Sequence, residues 1–291
     1  ANFANSFVIT NDLARKITGA NFSKIQKLQK KINKKGKAKS MVVPANIAFN
    51  QKKKIFQLQG KNVIGVIEGT DDKLKNEYVF LTAHYDHIGE KNGNVYNGAD
   101  DNGSGTSALL EIAQAFSEAK KNGWGPKRSV VVMLVSGEEK GLLGSKYYVE
   151  NPLFPLENTI VDINVDMIGR VDEKHQGNPD YIYIIGADRL SSELHEINEE
   201  ANQRFTQLEL DYTYNAESDP NRYYYRSDHY NFAKKGIPAI FYFNGTHADY
   251  HRASDTIEKI EFETLHKRTN LIFYTAWELA NRPERIVVDK K

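Results

Sequence analysis

RSVVVMLVS, residues 128–136, is the stretch that decides the fold class. A strand with one face in water alternates apolar and polar side chains, whereas Val130 to Val135 are apolar without a break. Such a strand is covered on both faces. Working outward, SGTSALLEIAQAFSEAKKN (104–122) carries Leu109, Ile112, Ala113 and Phe116 at helical spacing, the stripe of a helix packed on a sheet. Before it, NVIGVIE (62–68) and EYVFLTA (77–83) read as strands rich in β-branched and aromatic residues. Glycine- and asparagine-rich residues 89–105 read as loop. Further apolar strands are expected at 159–166, 181–185 and 238–243, helices near 191–203 and 227–235, and a last long helix over about 261–281. Strands alternating with helices predict a three-layer α/β/α protein. Its mixed sheet is mostly parallel, with helices on both faces and a ligand site at the carboxyl ends of the strands.

Charge divides the chain. Leu13 to Ile67 contains 14 Lys and Arg and no Asp or Glu, while Glu68 to Lys291 holds 25 basic and 37 acidic residues. We therefore expect a basic N-terminal segment over 1–60 and the α/β domain over 61–291. Ile25, Leu28 and Ile32 recur at helical spacing between lysines and predict a short amphipathic helix. It is either a solvated basic face or a contact for an anionic surface. The net charge of +1 gives no uniform field for nucleic acid. No run of 18 apolar residues suggests a membrane span. The chain opens on Ala1, so a processed or trimmed start is expected. With no cysteine, disulfides and thiolate metal sites are excluded, and any metal must be held by His and carboxylates.

Five polar pieces sit at strand ends. LTA runs into HYDH, placing His84 and Asp86 two apart, so in an extended chain both point the same way and Asp86 can accept the second ring N–H of His84. His87 completes an HxxH, but on a strand exit that spacing faces the rings differently, so His87 is left outside the site. NGADDNGSG (97–105) sets two aspartates before a helix. With no following Lys it is no phosphate loop, and it reads either as a capped turn or as a cation-bridging carboxylate. SGEE (136–139) puts two glutamates after a buried strand, which is costly unless a positive partner awaits them or a helix dipole favours them. NVDMIGR (164–170) ends a strand in Asp166, and DYHRASDTIEKI (249–260) places Tyr250 and His251 ahead of the last helix.

This ordered set resembles the di-zinc exopeptidase family over about residues 60 to 280. Its members include secreted bacterial leucyl-type aminopeptidases, glutamate carboxypeptidases and single-zinc glutaminyl cyclases. SDH (227–229) followed by GIP (236–238) is similar to a later landmark of the family. The resemblance implies two zinc ions per chain. His84 and Asp166 would be terminal ligands of one, Glu139 and His251 of the other, and Asp101 would bridge them. It also implies Glu138 as general base, Tyr250 as oxyanion stabiliser and Asp86 as the partner of His84. Two His and three carboxylates without thiols suit two zinc ions roughly 3.5–4 Å apart, with room for a bridging hydroxide.

An aminopeptidase acting on peptide substrates, exported to the periplasm or beyond, is the activity expected from this resemblance. Arg170, Arg222, Arg226 and Arg252 leave open a carboxypeptidase, which needs convergent arginines. A glutaminyl cyclase and a non-catalytic receptor-like domain are the other readings. Tyr223, Tyr224 and Tyr225 either line a substrate pocket or form an ordinary tyrosine-rich strand. His175, His195 and His266 are expected to ligate nothing, His229 to lie near the site, and His247 to be an exposed loop residue or else a substrate contact. Phe7 to Gly19 resembles the end of a protease-associated domain, which predicts further chain upstream.

Overall fold

The structure, a computed structural model, describes residues 7–48, 50, 52, 54–55 and 57–290. Lys53, in the middle of the lysine run 52–54, lies outside the described residues. The chain divides into two compact units, Ala1–Leu58 and Gln59–Lys291.

The first unit contains helices α1 (Asn11–Thr18) and α2 (Phe22–Lys35). Thr10 caps α1 by accepting the Leu13 N–H at 3.3 Å. Gly36, with φ +62°, ends α2 in the left-handed conformation and bonds back to the Ile32 carbonyl at 2.8 Å. Ile25, Leu28 and Ile32 are half-buried on α2 while its lysines are exposed, so the amphipathic helix forms where the spacing predicts it.

The second unit is built from β1 (Val63–Ile67), β2 (Tyr78–His84), β3 (Gly89–Lys91), β4 (Asn94–Tyr96), α3 (Gly105–Lys121), β5 (Ser129–Val135), α4 (Leu143–Glu150), β6 (Thr159–Val165), β7 (Tyr181–Ile185), α5 (Ala187–Leu190), α6 (Ser192–Ala201), β8 (Glu209–Asp211), α7 (His229–Ala233), β9 (Ala239–Phe243) and α8 (Phe262–Asn281). Seven strands form one sheet in the order β1-β5-β2-β6-β9-β7-β8. The central strands β5, β2, β6 and β9 run parallel, as does β8 beside β7, while β1 and β7 are antiparallel to β5 and β9.

The unbroken apolar run of β5 has the predicted explanation. Val130 and Val132 pack in the large cluster containing Leu109, Ile112 and Phe116 of α3 and Leu271, Ala276 and Leu279 of α8. Val131, Met133 and Val135 face the other way, against Tyr148 and Val149 of α4 and Phe232 of α7. The sheet is thus sandwiched between helical layers. Two pieces lie outside the expectation. Residues expected to be loop contain the β3–β4 hairpin, and the three-residue strand β8 falls where no element was predicted. Short edge elements carry too few residues for periodicity to show. No helix among the described residues is long and apolar enough to cross a membrane.

Candidate metal centre

His84, Glu138, Glu139 and Asp166 all lie at or just beyond the carboxyl ends of β2, β5 and β6. Parallel neighbours bring those ends together, and the turn before α3 adds Asp101 while the loop after β9 adds Tyr250 and His251. All seven residues gather around one cleft.

Asp101 is its centre. Its Oδ1 lies 3.3 Å from His84 Nε2, and its Oδ2 lies 3.1 Å from His251 Nε2. On the first side Asp166 Oδ1 is also 3.3 Å from His84 Nε2, so one imidazole and two carboxylates converge. On the second side Glu139 Oε1 stands 3.4 Å from His251 Nε2. Such spacings are close to the edge of a tetrahedron with metal–ligand bonds of about 2.0–2.1 Å. Both sets, with no thiol, suit a borderline divalent cation such as zinc.

The adjacent aspartates are cleanly separated. Asp100 accepts the Gly169 N–H at 2.7 Å and pairs with His247 Nε2 at 3.1 Å, away from the cluster. The His247 side chain is therefore turned inward, contrary to the exposed position expected, because Asp100 would otherwise be a buried charge without a partner.

Electrostatics follow from burial and neighbours. Burial pushes the Glu138 carboxyl up to about 9, with Asp166, Asp228 and Asp101 adding to the rise against a lowering by His84. Glu139 is held down at about 2 by His251 and His87, which outweigh its burial. His251 is raised to about 10 by Asp101 and Glu139. Tyr250 is pushed up by burial and by the charge of Asp101. Its ring stacks on His251 with centroids 3.9 Å apart, and its hydroxyl receives the Arg226 Nη2 at 3.3 Å.

Two expectations are corrected. The Asp86 carboxylate does not take the ring N–H of His84. His84 Nδ1 is 2.9 Å from the Asp86 backbone carbonyl and 4.0 Å from its Oδ1, and the carboxylate instead accepts the Glu138 N–H at 3.2 Å. His87, left outside the site by the spacing argument, is inside it, with Nδ1 2.9 Å from Glu139 Oε1 and 3.8 Å from Asp101 Oδ2. The reason is shared. Strand geometry ends at His84, and beyond it the chain turns toward β3, so alternation no longer dictates where side chains point.

Sequence reasoning also missed Ser227, which donates to Asp166 Oδ2 at 2.8 Å and receives Asn164 Nδ2 at 2.8 Å. Its place beside Asp228 in the SDH landmark is the one signal that points to it. His229, expected near the site, lies just behind the cleft wall as a core residue. It is fully buried against Phe241, and burial lowers it to about 3. His175 pairs with Asp172 and Asp211 in a separate buried network. Residues 223–225 form a short helical turn rather than a strand. Tyr223 and Tyr225 line the cleft of about 320 Å³ with Leu142, Met167, Phe241 and Phe243, and Arg226 is the one arginine lining it among the described residues.

Fold and site together define an α/β protein whose strand-end cleft carries two carboxylate–imidazole sets sharing one aspartate. The chain belongs to peptidase family M28, whose model matches residues 62–276. It is 28% identical over 238 residues to aminopeptidase YwaD of Bacillus subtilis, covering 79% of this chain and 47% of that protein. The structure of BSAP, a zinc aminopeptidase from Bacillus subtilis, superposes with a TM-score of 0.61 at 26% identity, covering 79% of this chain and 53% of that one. A probable glutamate carboxypeptidase, LAMP1 of Arabidopsis thaliana, is 39% identical over 107 residues, 36% of this chain and 14% of its own length. The chain thus spans about half the length of the two aminopeptidases.

Proposed function

We propose that the chain is the catalytic part of a zinc-dependent aminopeptidase that holds two zinc ions. The observation that carries this reading is Asp101, whose two oxygens face two separate imidazole–carboxylate sets. His84, Asp166 and Asp101 would hold one ion, and Glu139, His251 and Asp101 the other. The ions would supply a water acidified toward a pKa of about 7 and would polarise the scissile carbonyl.

The remaining steps belong to side chains. Glu138, with a carboxylate oxygen 4.0 Å from His84 Nε2, takes the attacking water's proton and passes it to the leaving amine. Its high pKa of about 9 comes first from burial and then from the charge of the carboxylates around it. Two dications would offset that charge and favour the carboxylate a base requires. The Asp86 carboxylate fixes the Glu138 backbone through its N–H. The Tyr250 hydroxyl, held by Arg226, donates to the developing oxyanion. Aromatic and apolar walls at Met167, Tyr223, Phe241 and Phe243 suit a bulky apolar N-terminal side chain.

A carboxypeptidase is disfavoured because Arg226 alone of the four loop arginines lines the cleft. Arg170 is bound to Asp249 at 3.1 Å and Arg222 lies over the Tyr225 ring. A one-zinc cyclase leaves one donor set without purpose, and so does a receptor-like domain. Export is carried by the resemblance to exported enzymes. The exposed lysines of α2 support contact with an anionic surface, which co-sedimentation of the full chain with anionic and neutral vesicles tests.

The reading is tested by mass spectrometry of a mixed peptide pool incubated with zinc-loaded protein, with Glu138→Ala as control. Stepwise loss from free N-termini, spared by acetylation, is expected. Trimming from C-termini would move the assignment to a carboxypeptidase. Loss of only 17 Da from N-terminal Gln would move it to a cyclase, for which ammonia is the leaving group.

A further inference from the structure

The second donor set contains one more imidazole than the proposed function uses. The His87 ring is more than nine-tenths buried, with its side chain 8% exposed, and neither ring nitrogen has a hydrogen-bond partner. A buried imidazole without partners is costly unless something else satisfies it. Nδ1 lies only 2.9 Å from Glu139 Oε1, yet that oxygen is also without a hydrogen bond, because the approach lies out of line for the ring N–H. The two atoms are close without bonding to each other. That arrangement belongs to two donors aimed at a third body.

The surrounding distances fit the same body. His87 Nδ1 is 3.8 Å from Asp101 Oδ2, His251 Nε2 is 3.1 Å from that oxygen, and His251 Nε2 is 3.4 Å from Glu139 Oε1. With the 2.9 Å approach, these scatter about the roughly 3.3 Å edge of a tetrahedron whose bonds are about 2.0–2.1 Å. The two rings meet edge to face, with centroids 5.8 Å apart, so each turns a different nitrogen inward without blocking the other.

The backbone holds the ring in place. Gly98 has φ +64°, and a Cβ there would come within 2.6 Å of His87 Cγ and 2.4 Å of the Asp101 carbonyl oxygen. The turn that carries Asp101 is therefore pressed against the His87 ring, and only glycine permits both the conformation and the approach.

We propose that His87 is a direct ligand of the second metal, joining Asp101, Glu139 and His251 so that this site has two imidazoles where the His84 site has one. The inference rests on the two-zinc reading and deepens it. The His87 site should hold its ion more tightly and lose it last, because it offers four protein donors against three.

The decisive measurement is a crystal structure of the zinc-loaded chain. His87 Nδ1 is expected at about 2.1 Å from the ion beside Glu139, and a separation above about 3 Å overturns the assignment. In parallel, metal retained during chelator titration is compared for wild type, His87→Ala and His251→Ala. Each variant is expected to release its second ion at a chelator concentration at least tenfold lower than wild type, with cobalt absorption of that site altered. Undiminished retention and an unchanged cobalt spectrum in His87→Ala, with wild type holding two ions, overturn this inference alone. A wild type that binds no zinc overturns the two-zinc reading itself. If His87→Ala does not fold, the wild-type crystal structure still decides.

Discussion

Ser227 donates its hydroxyl to Asp166 Oδ2 at 2.8 Å, and this bond leaves Asp166 Oδ1 facing His84 Nε2 at 3.3 Å. Ser227 in turn is oriented by Asn164 Nδ2 at 2.8 Å. The carboxylate is thus held on one oxygen and offered on the other, the usual way an outer partner aims a ligand. Ser227→Ala should weaken the His84-side metal by about 10- to 100-fold while the second site is unaffected. Site-resolved chelator competition checks this, and unchanged affinity would remove Ser227 from the metal centre.

Glu138 and Glu139 are adjacent but their carboxyls move in opposite directions, Glu138 up to about 9 and Glu139 down to about 2. Glu139 is beside two imidazoles, whereas Glu138 is buried among carboxylates. Glu138→Ala should keep both metals and lose several orders of magnitude in kcat. Metal analysis alongside steady-state kinetics checks it, and an active variant with full metal content would sink the general-base role.

Tyr250→Phe removes one donor from the developing oxyanion and leaves the stacking on His251 available. We expect kcat to fall by about 10²–10³ with KM little changed, since the bond strengthens only in the transition state. A rise in KM with kcat intact would make Tyr250 a substrate-binding wall instead.

The metal-free protein should lose stability as pH rises. Between about 4.5 and 9 the folded Glu138 carboxyl binds a proton that the unfolded chain releases, so stability falls through that window. His251, raised to about 10, acts in the same direction: its contribution is complete below about 6.5 and is lost as pH climbs through 10. Zinc binding displaces protons from these same groups, so its stabilising effect should grow with pH. Melting curves of metal-free and zinc-loaded protein at pH 6 and pH 8 test both signs. A metal-free Tm that rises from 6 to 8 would contradict them.

The sheet was legible because β5 announces burial on both faces, and α3 and α8 carry clean helical stripes. His84, Asp101, Glu138, Glu139 and Asp166 could be located because each ends or follows an apolar strand or opens a helix. The strand period fails where the strand does. Asp86 and His87 lie past the end of β2, and there the chain uses the Asp86 carbonyl rather than its carboxylate and turns His87 inward. The roles of Ser227 and His247 were illegible for a different reason. Their partners, Asp166 and Asp100, lie 61 and 147 positions away, and nothing local reports such a pairing.

Asp100 and Asp101 offer the sharpest separation of structure from chemistry. Asp100 is fully buried, accepts the Gly169 N–H and pairs with His247, and nothing in it faces the cleft. Asp100→Ala should cost about 3–5 kcal/mol by leaving an imidazole and an amide without their partner. Asp101→Ala should add a loss that Asp100→Ala lacks. It removes the carboxylate that both imidazole sets share, so metal binding and activity should collapse. The metal-free Tm should fall as well, because His84 and His251 lose the carboxylate they share, so zinc binding is the readout that separates the two aspartates. Denaturant unfolding of both metal-free variants, with zinc titration, distinguishes them. If Asp100→Ala retained its stability but lost zinc, the roles of the two aspartates would have to be exchanged.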